Sequence, residues 1–358
     1  MMFTEKNEKR IELFREYHNA KNRQPLMGAC IGGWEGFGRY VKDTAAFIPK
    51  GPVGIDKIVP DRFKSMYRDY ITSLEYPDDL LRSVEPVQAI PWAEAAAGIQ
   101  IEYTGLNFWA RGEKTDIKSL STPLAEHNPW IERYGEFVSF LSREYGHRFP
   151  VAQSILRGPL DILAAAIGDE NMIYALYDQP EEVHYILSIY SGLIKAFLRI
   201  QKDMTPPFME GNVIGQYHIW APGTVARLQE DAQSLLSAKL YEEFVLPCDC
   251  DIASENKYNL FHMHASAFHL LDLVLMIKNI GILQVSKDEG INSIESMIPG
   301  LVKIQKAGRK LILKGRLTLR DVELIKKKLD YGGLCLQFVV SSIEEADTTI
   351  SSAMNCLR

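Results

Sequence analysis

The second half of the chain repeats one pattern: a short run rich in aliphatic and β-branched residues, then a longer amphipathic segment. "NLFHMHA" reads as a strand and "AFHLLDLVLMIKNIG" as the helix after it, closed at Gly281. "ILQVS", "KLILKG" and "LCLQFVV" are further strands. "INSIESMIPGLVKIQKAG", "LTLRDVELIKKKLDYGG" (with Thr318 as N-cap) and "IEEADTTISSAMNCL" are the helical segments that follow them. A strand followed by a helix, over and over, demands a parallel sheet with helical crossovers. The first half supplies "PLMGACIGG", "SVEPVQAIPW", "VAQSILRG" and "TVARLQED" as strands, with an extra one over Asn212 to Ile219. Eight strand–helix units in 358 residues predict a single (β/α)8 TIM barrel over 1–358, with a helical extension over 1–24 and insertions in the first half. A doubly wound open sheet is the rival, but no G-x-G-x-x-G or phosphate-binding loop follows the first strand.

Composition narrows the function. Apolar residues make up 46% of the chain, enough for a large core, and the formal net charge of −6 argues against a nucleic-acid footprint. No apolar run reaches the length of a membrane span, and the charged N-terminus has no signal-peptide core. The five cysteines (Cys30, Cys248, Cys250, Cys335 and Cys356) are odd in number on a long chain, so no disulfide scaffold is expected and the reducing cytoplasm is the default.

In a barrel, chemistry gathers at the C-terminal ends of the strands. Those ends carry Trp34, Trp92, Glu94, Arg157, Asp161, Tyr217, Trp220, Glu230, Asp231, His262 and His264, with Asp288 after the sixth strand. Glu94 and Asp231 are the carboxylates singled out to move a proton or support a metal. Arg157 suits a substrate anion, and Trp34, Trp92, Tyr217 and Trp220 would wall a flat apolar ligand such as a corrin, or simply pack.

His262 and His264 stand two apart in a strand, so they share its inward face while Phe261 and Met263 face the helices. Two imidazoles at that spacing can chelate one ion, or can be neutral, hydrogen-bonded interior residues. Cys335, between Leu334 and Leu336 on the last strand, faces the same way and would complete a His262–His264–Cys335 zinc set with one open position. His269 belongs to the next helix and is read as structural.

Three segments resemble the uroporphyrinogen decarboxylase superfamily: "RGPLDILAAAIGDENMIYALYDQPEEVHYIL", "EDAQSLLSAKLYEEFVLP" (with Ala238 where proline is usual) and "KLILKGRLTLRDV". The likeness covers Ala152 to the C-terminus and implies a TIM barrel with one of two chemistries. One is metal-free decarboxylation of a porphyrinogen. The other is methyl transfer from a methylated corrinoid to a zinc-activated thiol. The decarboxylases carry an arginine-rich motif after the first strand. Here "GACIGGW" stands in its place, and Arg39 in "GFGRY" is only the tail of that pattern. The methyltransferases carry H-x-C on the fifth strand and a late cysteine, which His262-Met263-His264 and Cys335 match with one ligand changed. The resemblance therefore implies a zinc-dependent methyltransferase of the corrinoid-linked branch, with a metal-free carboxy-lyase as the alternative. It further implies a partner protein carrying the methyl-corrinoid and a small thiol or tetrapyrrole substrate. Neither a nucleic-acid nor a membrane partner is expected, and a homodimer is compatible with the sequence.

Overall fold

The structure, a computed structural model, describes residues 2–32, 48–72, 76–105, 107–113, 116–120 and 125–357. Its strands, in chain order, are β1 (Leu26–Ile31), β2 (Gly51–Pro52), β3 (Ile101–Tyr103), β4 (Phe108–Ala110), β5 (Asn212–Ile214), β6 (Ile219–Ala221), β7 (Val225–Gln229), β8 (Tyr258–His264), β9 (Ile280–Lys287), β10 (Lys310–Gly315) and β11 (Leu334–Val340). Six of them form one parallel sheet in the order β1-β11-β10-β9-β8-β7. Helices Ile294–Lys306, Leu319–Lys328 and Ile343–Leu357 follow β9, β10 and β11, as the alternating sequence predicts. Thr318 caps its helix by accepting from Asp321 N–H.

The two faces of the sheet have different fates, because strand side chains alternate. Phe261, Met263, Leu283, Val285, Leu311, Leu313, Leu334 and Leu336 join one large apolar core with the crossover helices. The other set points to the inner face, away from those helices. At its N-terminal end Leu26, Leu260, Ile282, Ile312 and Cys335 form a second cluster. Ile11, Phe14 and Tyr17 of the first helix (Met2–His18) and the β5–β6 hairpin cover that cluster. His18 Nε2 lies 2.8 Å from the carbonyl of Trp220 and ties helix to hairpin.

Irregular segments lie along the two outer strands of this sheet, β1 and β7, with few backbone rungs between them. Residues expected as a strand over 83–92 make only one bridge, Val84 to Val151, with Val84 N–H on Pro150 O at 2.9 Å and Ala152 N–H on Val84 O at 2.9 Å. Pro86, Pro91 and Pro150 lack the N–H a ladder needs. Side chains take over some of the missing rungs. Asp78 and Asp79 accept from Ala29 and Met27 N–H at 2.8 and 2.9 Å, and Arg82 donates to Ala29 O. On the far side the Gln153 amide both donates to Arg227 O and accepts from Arg227 N–H, at 3.0 and 2.9 Å. Gly28 is required where it stands, since a Cβ there would run into the Leu80 side chain.

Two further expectations are corrected. The extra strand over 212–219 is a hairpin, β5 against β6. Gln216 and His218, both at positive φ, reverse the chain between its two strands. Helix Pro180–Met204 is long and apolar enough, on length and composition, to cross a membrane, contrary to the reading of the sequence. It packs Val183, Ile186, Leu187, Tyr190, Leu193 and Phe197 into the main core, so its apolar face is already occupied.

Candidate metal centre and adjoining cleft

Three adjacent strands bring polar side chains to the C-terminal end of the inner face. Asp231 follows β7, His262 and His264 close β8, and Gln284, Ser286 and Asp288 line β9 and its exit. One ligand atom from each of Asp231, His262 and His264 lies within 4.8 Å of the others. Asp231 Oδ1 sits 3.8 Å from His262 Nε2 and 3.8 Å from His264 Nε2. That oxygen is buried and makes no hydrogen bond. The imidazole rings meet edge to face with centroids 4.9 Å apart.

Both rings are held from behind through Nδ1. His264 Nδ1 lies 2.8 Å from Asp288 Oδ2, and His262 Nδ1 contacts Gln284 Oε1 with the Tyr217 hydroxyl 3.0 Å away. A carboxylate or amide oxygen can only accept, so each Nδ1 carries a proton and each Nε2 lone pair is left for the centre. That is the arrangement by which outer hydrogen bonds orient metal-binding histidines. Asp231 is set just as firmly. Its backbone N–H and that of Ala232 donate to Asp161 at 3.0 and 2.8 Å, while Glu230 accepts from Leu160 and Asp161 N–H. Burial, with Asp231 nearby, pushes the Asp161 carboxyl up to about 7.

The two histidines titrate in opposite directions. Burial, reinforced by Arg227, pulls His262 down to about 4, so it is a neutral ligand at physiological pH. The hydrogen bond that its Nδ1–H donates to the Asp288 carboxylate raises His264. A divalent cation between them would meet two nitrogens and one oxygen, a donor set that zinc accepts. The orphaned Asp231 oxygen and the paired Nε2 atoms fit such an ion.

The centre opens into a cleft of about 490 Å³ lined by Gln88, Pro91, Phe108, Trp109, Gln216 and Arg227, among others. Glu94 and Arg157 both reach it, as an ion pair between a buried carboxylate and a half-buried guanidinium. Three expected roles are corrected. Cys335 is the second residue of β11, at the opposite end of the strand from the centre, and lies in the apolar cluster with its thiol raised by burial. It is not among the converging ligand atoms. Trp92 is fully buried in an aromatic cluster with Trp130, Tyr134 and Phe137, and Trp220 is fully buried in β6 of the hairpin with its N–H on Phe208 O, so neither walls the cleft. Tyr217 acts from behind His262 rather than on substrate. Trp34 and Arg39 lie outside the described residues. His269 is structural as expected, 2.8 Å from Leu236 O.

Arg227, Gln229, Gln284 and Asp288 belong to the site without having been chosen from the sequence as ligand-shell residues. The signal was available: counting back by twos from Asp231 gives Gln229 and Arg227, and on β9 the same step links Gln284, Ser286 and Asp288. Arg227 Nη2 donates to Gln229, and Gln229 Nε2 to Asp231 Oδ2, an inner-face chain running along β7 into the centre.

No family model matches the sequence, and neither does any curated protein. Among solved structures the chain is similar to a methyltransferase from Methanosarcina mazei, with a TM-score of 0.61 and 12% identity over 96% of this chain and 95% of that one. At that identity the likeness shows a shared fold.

Proposed function

We propose that this chain is a metal-dependent methyltransferase whose ion is held by Asp231, His262 and His264. The observation that carries the reading is the buried, unpaired Asp231 oxygen placed 3.8 Å from each Nε2, with both Nδ1 atoms engaged behind. The fold shared with a methyltransferase supports it. So do the backbone bridge between Val84 and Val151 and the Gln153 side chain on β7, which we read as closure into a single (β/α)8 barrel.

When bound, zinc would supply Lewis acidity and lower the pKa of a thiol at its open position. The chain's own residues do the rest. Asp288 and Gln284 fix the rings, Tyr217 backs His262, and Asp161 anchors the loop that presents Asp231. Trp109 and Phe108 flank the cleft where the acceptor would lie. The finer assignment, a methylated corrinoid delivered by a partner protein to a thiol, rests on the sequence resemblance, and a cytoplasmic setting on the odd cysteine count. With Asp231 replacing the expected cysteine, all three protein ligands are N or O donors.

Elemental analysis of purified protein tests the metal. One equivalent of zinc is expected in the wild type and loss of stoichiometric metal in His264→Ala. Methyl transfer from methylcobalamin to a small thiol, abolished by a chelator and restored by zinc, tests the reaction. Metal-free protein that releases CO2 from a porphyrinogen would replace this reading with the carboxy-lyase one.

A further inference from the structure

Arg227 is an unusual residue to find inside a protein. It is 4% exposed, lies on the inner face of β7 and lines the cleft beside the metal centre. Gln153 clamps its backbone on both sides, so its position is fixed. Nη2 donates to Gln229, and the guanidinium lies 5.7 Å from the Tyr217 ring centre. Its Nε and Nη1 groups are buried and have no hydrogen-bond partner. A buried cation with unpaired donors is costly unless something supplies acceptors. Carboxylates stand nearby, but Glu94 is taken by Arg157, Asp288 by His264, and Asp231 Oδ2 by Gln229.

We infer that Arg227 anchors a carboxylate on the substrate, so that the acceptor molecule spans from the guanidinium to the metal centre. The planar fork of arginine matches a carboxylate and charge-assisted bonds there are strong. The cleft favours a monoanion over a dianion, because Asp231 and Asp288 add negative charge to its wall. This deepens the reading of the cleft as an acceptor site and rests on it for the identity of the reacting end.

The matched probes are 3-mercaptopropionate and its methyl ester, titrated calorimetrically into zinc-loaded full-length protein, with plain propionate as a probe of the anchor alone. We expect the acid to bind at least tenfold tighter than the ester in the wild type. In Arg227→Met the two should bind equally, with thermal stability equal to or above wild type, because an unpaired buried charge is gone. Arg227→Lys, which keeps the charge but loses the fork, should retain a few-fold preference and guards against a Met variant that does not fold. Equal binding of acid and ester by the wild type, or a preference that survives in Arg227→Met, overturns the inference. The two readings fail separately. Propionate that binds in an Arg227-dependent manner to protein without metal affinity upholds the anchor and removes the metal, whereas zinc binding without acid preference does the reverse.

Discussion

The two ends of the inner face are built from the same strands and have opposite characters. At the N-terminal end Leu26, Leu260, Ile282, Ile312 and Cys335 are sealed by the first helix and the β5–β6 hairpin. At the C-terminal end, two residues further along, Gln337, Lys314, Gln284 and His262 take over, leading to His264 and Asp231. Each β10 and β11 strand makes the change within a single alternation step, Ile312 to Lys314 and Cys335 to Gln337. The lower layer stabilises the fold by excluding water, while the upper layer holds polar groups whose positions are fixed by one another. Gln337 shows how closely the layers join: its amide donates to Tyr217 O at 2.7 Å, and Tyr217 in turn backs His262.

That division should break cleanly under mutation. The largest effect is expected in the lower layer. Trp220→Ala removes a fully buried ring and should cost about 3–5 kcal/mol of stability. Chemical denaturation measures the loss, and zinc affinity of the still-folded protein should stay within a few-fold of wild type. A parallel collapse of metal binding would show that the layers are not separable. In the upper layer, Asp288→Ala leaves His264 without the acceptor at its Nδ1 and should weaken zinc binding about 10–100-fold with little change in stability. Competition with a chromophoric chelator reads this, and unchanged affinity would mean that His264 is not a ligand. Gln284→Ala removes the corresponding acceptor from His262, which keeps the nearby Tyr217 hydroxyl, so a smaller weakening of about tenfold is expected by the same assay. The smallest effect falls to Cys335→Ala, which trims one buried atom from the apolar layer. It should cost about 1 kcal/mol and leave zinc stoichiometry intact. Loss of zinc in that variant would restore the cysteine to the ligand set.

Much of this molecule could be read from its residues. The strands and helices after Tyr258 fall where the alternating pattern puts them, and the division of β8 into core-facing Phe261 and Met263 against inward His262 and His264 follows from the two-residue period. The first half was less legible. Residues 78–92 and 150–154 carry prolines and pair through side chains, so neither hydrophobic alternation nor strand propensity marks their role. Trp92 and Trp220 sit beside strand ends in the chain but turn into packed clusters, which no local pattern reports.

The third member of the centre marks the boundary between the two kinds of information. Local sequence determined that two imidazoles share one face of one strand, because covalent geometry alternates side chains without help from the rest of the fold. It also determined that Cys335 faces inward. Which inward residues meet is decided by how far apart their strands stand in the sheet and by what packs over each end: β11 stands three strands from β8, although Cys335, Ile312, Gln284 and His262 are successive Cα partners. Packing of the first helix closed Cys335 into the apolar cluster, while the loop held by Asp161, leaving the strand next to β8, carried Asp231 to within 3.8 Å of both histidines.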